Sequence, residues 1–216
     1  MRYISAVLFT LALSVASGQH AAHPGVERWS VKTSLPGPPG KAKTVALADL
    51  LSFGDPAINP KVNKNDHRFQ SARIPAFSNT FHLNEGDLIT TTGWLHLVAG
   101  ENDGDYHIQI SASPTDGSNC LIVEVPNPDP AFVADTSLRP AFENVRAFLK
   151  AKTLANKDPS PTGSVMAHPP FVTVTGQLFY DDSHVGDPPR GKKHMPAATL
   201  WELHPVTAMA FAPKPK

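Results

Sequence analysis

The chain has 216 residues, with 19 Lys and Arg set against 19 Asp and Glu, and 41% of its residues are hydrophobic. Charge this balanced leaves no global field to draw in polyphosphates, so general nucleic-acid binding is excluded unless a local basic patch supplies it. The one cysteine, Cys120, cannot form an internal disulfide, so the fold must rest on its core.

The first residues predict a compartment. A short basic start at Met1-Arg2 precedes an apolar run from Ile4 to Val15, and Ala16-Ser17-Gly18 supplies small residues for cleavage. This is the pattern of a secretory signal peptide over 1–18. The run is too short to span a bilayer, which takes roughly twenty apolar residues, and no later stretch is apolar enough. A secreted or periplasmic protein is expected. Removing Arg2 with the signal leaves 18 basic residues against 19 acidic ones, a net charge of −1.

Prolines, 22 in all, cluster at boundaries. Residues 19–43, with Pro36-Gly37-Pro38-Pro39-Gly40, lack apolar periodicity and read as a flexible lead, although Trp29 to Thr33 has the composition to dock as a strand. Residues 44–85 are expected to pack on the main domain as an extension, with a short helix starting near Thr44 and stopped by Gly54-Asp55-Pro56.

Between residues 86 and 208 the order of elements is most informative. Short strands are predicted at 87–98, 105–111 and 120–125, an amphipathic helix at 138–152, and further strands at 171–180 and 199–206. Leu138, Phe142, Val145, Phe148 and Leu149 form the helix stripe, with Ser137 or Thr136 as expected cap. Three strands, a helix and two strands spell a mainly β protein, a five-stranded Greek-key OB-fold barrel with its helix between the third and fourth strands. Residues 209–216 are left as a tail.

Alternation assigns the faces. Tyr106, Ile108, Ile110, Leu121, Val123, Val125, Trp201 and Leu203 point inward, while Asp105, His107, Glu124, Glu202 and His204 share the outer face. Two imidazoles with carboxylates suit a transition metal, so Asp105, His107, Glu124 and His204 are candidate ligands for a divalent ion. The same residues also suit a polar network that pins the sheet, with His107 and His204 expected on adjacent strands. Trp94 and His96 share a face of the first strand as a possible small platform. The connection 181–195 adds His184, Arg190, Lys192 and Lys193 beside the groove that OB-folds use, with Asp181, Asp182 and Asp187 to neutralise them. Cys120 reads as a half-buried small hydrophobe.

Nothing resembling H-E-x-x-H or G-x-S-x-G occurs, and the prolines of the Gly37–Gly40 stretch remove the N–H groups a phosphate loop needs. Four motifs, Gly104-Asp-Tyr-His-Ile-Gln-Ile110, Leu121-Ile-Val-Glu-Val-Pro126, Val174-Thr-Gly-Gln-Leu-Phe-Tyr180 and Glu202-Leu-His-Pro-Val206, resemble those of uncharacterised secreted bacterial proteins with an OB-fold-like barrel. The resemblance covers roughly residues 86–207. It implies a bacterial, exported protein and supports the strand order, and it carries no catalytic residue with it.

These features favour an exported, monomeric, non-enzymatic OB-fold binding protein whose partner is a sugar, a peptide or an envelope protein rather than nucleic acid. Its candidate contacts are Trp94, His96, Asp105, His107, Glu124, His184, Arg190, Lys192, Lys193, Glu202 and His204. The alternative is a metal-dependent hydrolase, nuclease-like in its chemistry, built on Asp105, His107, Glu124 and His204.

Overall fold

The computed structural model describes residues 27–37, 40–59 and 61–215; the expected signal peptide lies outside them. In chain order the elements are helix α1 (Trp29–Lys32), strand β1 (Lys43–Thr44), helix α2 (Leu47–Leu51), strands β2 (Leu88–Gly100), β3 (Tyr106–Ser111) and β4 (Cys120–Val125), helix α3 (Arg139–Thr153), and strands β5 (Ser164–Val165), β6 (Phe171–Tyr180) and β7 (Ala197–Phe211). The strands pair in the order β2-β3-β4-β7-β6, and β6 pairs back onto β2, which closes a five-stranded barrel. β4 and β7 run parallel, and the other barrel pairs are antiparallel. With α3 between the third and fourth barrel strands, this is the OB-fold expected from the sequence.

Alternation produces the barrel core. Leu95, Ile108, Ile110, Leu121, Val123, Val174, Leu178 and Leu203, drawn from all five barrel strands, belong to one apolar cluster together with Phe142, Val145 and Leu149 of α3. Those three helix residues are buried at i, i+3 and i+7, one stripe of a 3.6-residue period. The cap differs from expectation: Asp135 accepts the Ser137 backbone N–H and opens a 3-10 turn (Thr136–Leu138) ahead of α3. A carboxylate placed two residues earlier than the expected hydroxyl satisfies the first N–H groups. β7 also runs past the expected strand end, because Met209, Ala210 and Phe211 pair with Val174, Thr173 and Val172. The tail expected from residue 209 therefore begins in the sheet.

Residues of the 44–85 segment pack on the barrel. Leu47, Leu50, Phe53, Phe69, Ile74 and Leu83 join the same core, and Phe53 meets the Trp201 ring at 4.8 Å between centroids. The lead differs where it is described. Trp29 to Lys32 is a helical turn rather than a strand, and Arg28, Val31, Lys32 and Thr33 are buried. Its docking uses charge in place of apolar periodicity. Arg28 pairs bidentately with Glu85 at 2.7 and 2.8 Å and donates to the carbonyls of Phe69, Ala72 and Tyr180. Glu85 in turn accepts the N–H groups of Ile74 and Tyr180. A buried ion pair with its hydrogen bonds filled is the condition under which charge tolerates burial. No helix among the described residues is long and apolar enough to cross a membrane.

Candidate functional site: a roofed polar face

The outer face of β3, β4 and β7 is not a solvated strand surface. Asp105, His107, Gln109, Glu124, Glu202 and His204 are all buried, with His204 only 1% exposed. Two segments cover them: α1, which brings Lys32, and the connection 181–195, which brings Asp181, Arg190 and Lys192. Between them a pocket of about 500 Å³ opens onto Lys32, Glu124, Phe179, Arg190, Glu202 and His204.

Register sets the geometry. His107 lies directly opposite Glu124 across the β3–β4 ladder, and Ile122 opposite Glu202 across β4–β7. His107 and His204 were expected on adjacent strands; they instead flank β4, and Glu124 stands between them. Its Oε1 lies 3.0 Å from His107 Nδ1 and its Oε2 lies 3.4 Å from His204 Nδ1. Burial pushes the Glu124 carboxyl pKa up, but the His107 hydrogen bond and the positive charges of His204, His107 and Arg190 outweigh it and hold that pKa well below the usual carboxylate range. Glu124 is therefore an anion in a site that water barely reaches.

The protons on His107 follow from its neighbours. Gln109 donates through Nε2 to the Met195 carbonyl at 2.8 Å and accepts the Lys192 N–H through Oε1 at 2.6 Å, which fixes the orientation of its amide. His107 Nε2, 3.1 Å from that oxygen, must donate to it. Nδ1 then faces Glu124 and, at 3.4 Å, Glu101.

His204 is less well provided for. Nε2 lies 3.4 Å from Asp105 Oδ2, within ion-pair range, but makes no hydrogen bond to any described residue, an exception to the rule that buried polar atoms are hydrogen-bonded. The other Asp105 oxygen accepts the Asn127 N–H at 2.7 Å.

Charges across the site do not balance. Five carboxylates (Glu101, Asp103, Glu124, Asp181 and Glu202) pair with three permanent cations, Lys32, Arg190 and Lys192, and a sixth, Asp105, pairs with His204. Lys192 sits 3.0 Å from Glu101, Lys32 3.3 Å from Asp103, and Arg190 contacts Glu202 and, at 2.5 Å, Asp181. Burial and the neighbouring Asp105 raise the Asp103 pKa against the pull of Lys32. The six carboxylates outnumber the permanent cations by three, and Asp105 is the one whose ion pair is with an imidazole rather than with a Lys or Arg.

The remaining candidates lie apart or outside. Trp94 packs on Phe171, and His96 Nε2 contacts the Ser113 carbonyl at 2.7 Å and Ser111 Oγ at 3.0 Å, so they form no joint platform with the cluster. His184 lines the pocket rim beside Asp187, and Lys193 is exposed. Cys120 is fully buried rather than half-buried, and burial pushes its thiol up to about 11. Phe179 is on the pocket wall, with its ring 5.6 Å from His204 and 4.9 Å from Arg28. Residues that the pattern did not single out are Lys32, Glu101 and Asp103. Glu101 and Asp103 lie in the tight β2–β3 turn, where strand alternation does not apply, and for Lys32 no local signal exists.

Comparison of the chain with protein-family models, with curated proteins and with solved structures finds no match to any of them.

Proposed function

We propose that the protein is an exported OB-fold binding protein that takes a small positively charged ligand in the pocket over β3, β4 and β7. The observation that carries this reading is the roof: the outer face that an open OB-fold offers to a polymer is covered by α1 and the 181–195 connection, leaving room for a small ligand only. The sign of the ligand follows from the excess of carboxylates in the cluster, since a cation entering a low-dielectric, negatively charged pocket gains what an anion would lose. Export rests on the basic and apolar pattern of residues 1–18 and on the motif resemblance to secreted bacterial proteins. Sugar and nucleic acid give way to a cation here because Trp94, the ring offered as a platform, is buried against Phe171.

Thermal-shift titration tests the reading with three panels: divalent metal ions, primary diamines, and anionic sugars or phosphates. A cation at about one hundred times its Kd adds about 2.7 kcal/mol, and for a chain of this length each kcal/mol raises Tm by about 2–4 °C. A rise of about 5–10 °C with cations and none with anions is expected. Stabilisation by the anionic panel alone would refute it.

A further inference from the structure

We propose that the cation is a divalent transition-metal ion held by Asp105, Glu124 and His204, an inference that rests on the small-cation reading of the pocket. One ligand atom from each of the three lies within 4.8 Å of the others, and all three residues are buried. Bonds of about 2.0–2.2 Å in tetrahedral geometry put ligand atoms about 3.3–3.6 Å apart. His204 Nε2 to Asp105 Oδ2 is 3.4 Å, already the edge of such a tetrahedron, while Glu124 Oε2 lies 3.4 Å from the other ring nitrogen and has to swing toward Nε2 to complete the set.

The unpartnered nitrogen makes this more than an acidic cluster. His204 Nε2 is buried, lies 3.4 Å from Asp105 Oδ2, and makes no hydrogen bond among the described residues. A metal between them would satisfy the imidazole lone pair and Asp105 together. The second trio, Glu101 with His107 and Glu124, is a poorer choice because Lys192 already sits on Glu101.

Surrounding hydrogen bonds hold the ligands in the manner that metal sites require. The Asn127 N–H occupies Asp105 Oδ1 and leaves Oδ2 for the ion. His107, itself oriented by Gln109, binds Glu124 Oε1 and turns Oε2 toward His204. His107 is thus a positioning residue for Glu124. One imidazole with two carboxylates suits zinc, manganese, iron or cobalt better than the all-oxygen sites of calcium and magnesium. Glu124 and His204 line the pocket and Asp105 does not, so an ion reaches the site from the pocket past those two side chains.

The test is titration of metal-stripped purified protein with Zn²⁺ by calorimetry and with Co²⁺ by visible absorption, alongside a primary diamine. One ion per chain is expected, with affinity lowered at least one hundredfold in Asp105→Asn and in Glu124→Gln. In His107→Gln the cobalt absorption should persist, since every ligand remains, while affinity falls about 10–100-fold. Near-UV circular dichroism checks that each variant is folded; should Glu124→Gln not fold, the nearly isosteric Asp105→Asn decides alone. Unchanged Zn²⁺ affinity in Asp105→Asn would overturn the assignment, as would fewer than one ion in ten chains. If the diamine binds and Zn²⁺ does not, the metal site falls and the cation pocket stands; if neither binds, both fall.

Discussion

Replacing Arg28 by Met should cost about 3–5 kcal/mol, the range for removing one member of a buried ion pair. Both side chains are essentially sealed, at 1% exposure for Arg28 and 0% for Glu85, so water cannot take over the solvation of the remaining charge. Glu85 would keep the N–H groups of Ile74 and Tyr180 and lose its only bidentate partner, while the carbonyls of Phe69, Ala72 and Tyr180 would lose a donor. Urea unfolding followed by tryptophan fluorescence reads the effect. With a slope of about 2.5 kcal/mol per molar, the midpoint should fall by about 1.2–2 M. Adding Glu85→Gln to Arg28→Met removes the stranded charge and should recover at least half of the loss, because the penalty lies in the unpaired ion more than in the missing bond. The single variant should also be cut by protease within residues 27–37, since Arg28 fastens that segment over the site. A midpoint shift below about 0.4 M, which is about 1 kcal/mol on that slope, would refute the claim that this pair docks the lead.

Asp182 is fully buried, and burial raises its pKa to about 6 against the lowering pull of the Asp66 N–H and Arg28. A carboxyl with its folded pKa above the unfolded value contributes stability at pH below about 4 and loses it as pH rises through 6, so ionised Asp182 is a burden at pH 8. Asp182→Asn keeps an acceptor for Asp66 and should stabilise the protein by about 1–3 kcal/mol at pH 8 with little gain at pH 4, read by denaturation at both values. A variant less stable than wild type at pH 8 would contradict this. With the Cys120 thiol pushed up to about 11, about one molecule in a thousand carries the thiolate at pH 8, so native protein should not react with a disulfide reagent until denaturant unfolds it. Prompt stoichiometric labelling of folded protein would be the opposing result.

The strands were legible because period-two alternation of β-branched residues and proline-marked boundaries are local signals. Ile108, Ile110, Leu121 and Val123 declare their face within six residues of themselves. The same alternation put Asp105, His107, Glu124, Glu202 and His204 on one surface. What it left unspecified was the cover. Burial of that surface depends on Arg28 finding Glu85 and on Arg190 finding Glu202, contacts 57 and 12 residues apart in sequence with no periodicity to announce them. A lead lacking apolar periodicity reads as flexible when its anchors are charged, and a loop with mixed charge reads as self-neutralising when its arginine is spent on barrel carboxylates. The strand neighbours of His107 and His204 were likewise hidden, because the parallel β4–β7 pairing depends on a crossover through α3 and β6 that alternation alone does not encode.

Calorimetric titration of wild type and Glu124→Gln with Zn²⁺, with a primary diamine and with an anionic sugar is the most direct test of the cation pocket. Wild type should bind at least one of the two cations at one per chain and leave the sugar unbound, and Glu124→Gln, folded by circular dichroism, should lose that binding at least a hundredfold. Binding of the anionic sugar with neither cation bound, or cation binding untouched by Glu124→Gln, would contradict a negatively charged pocket centred on Glu124.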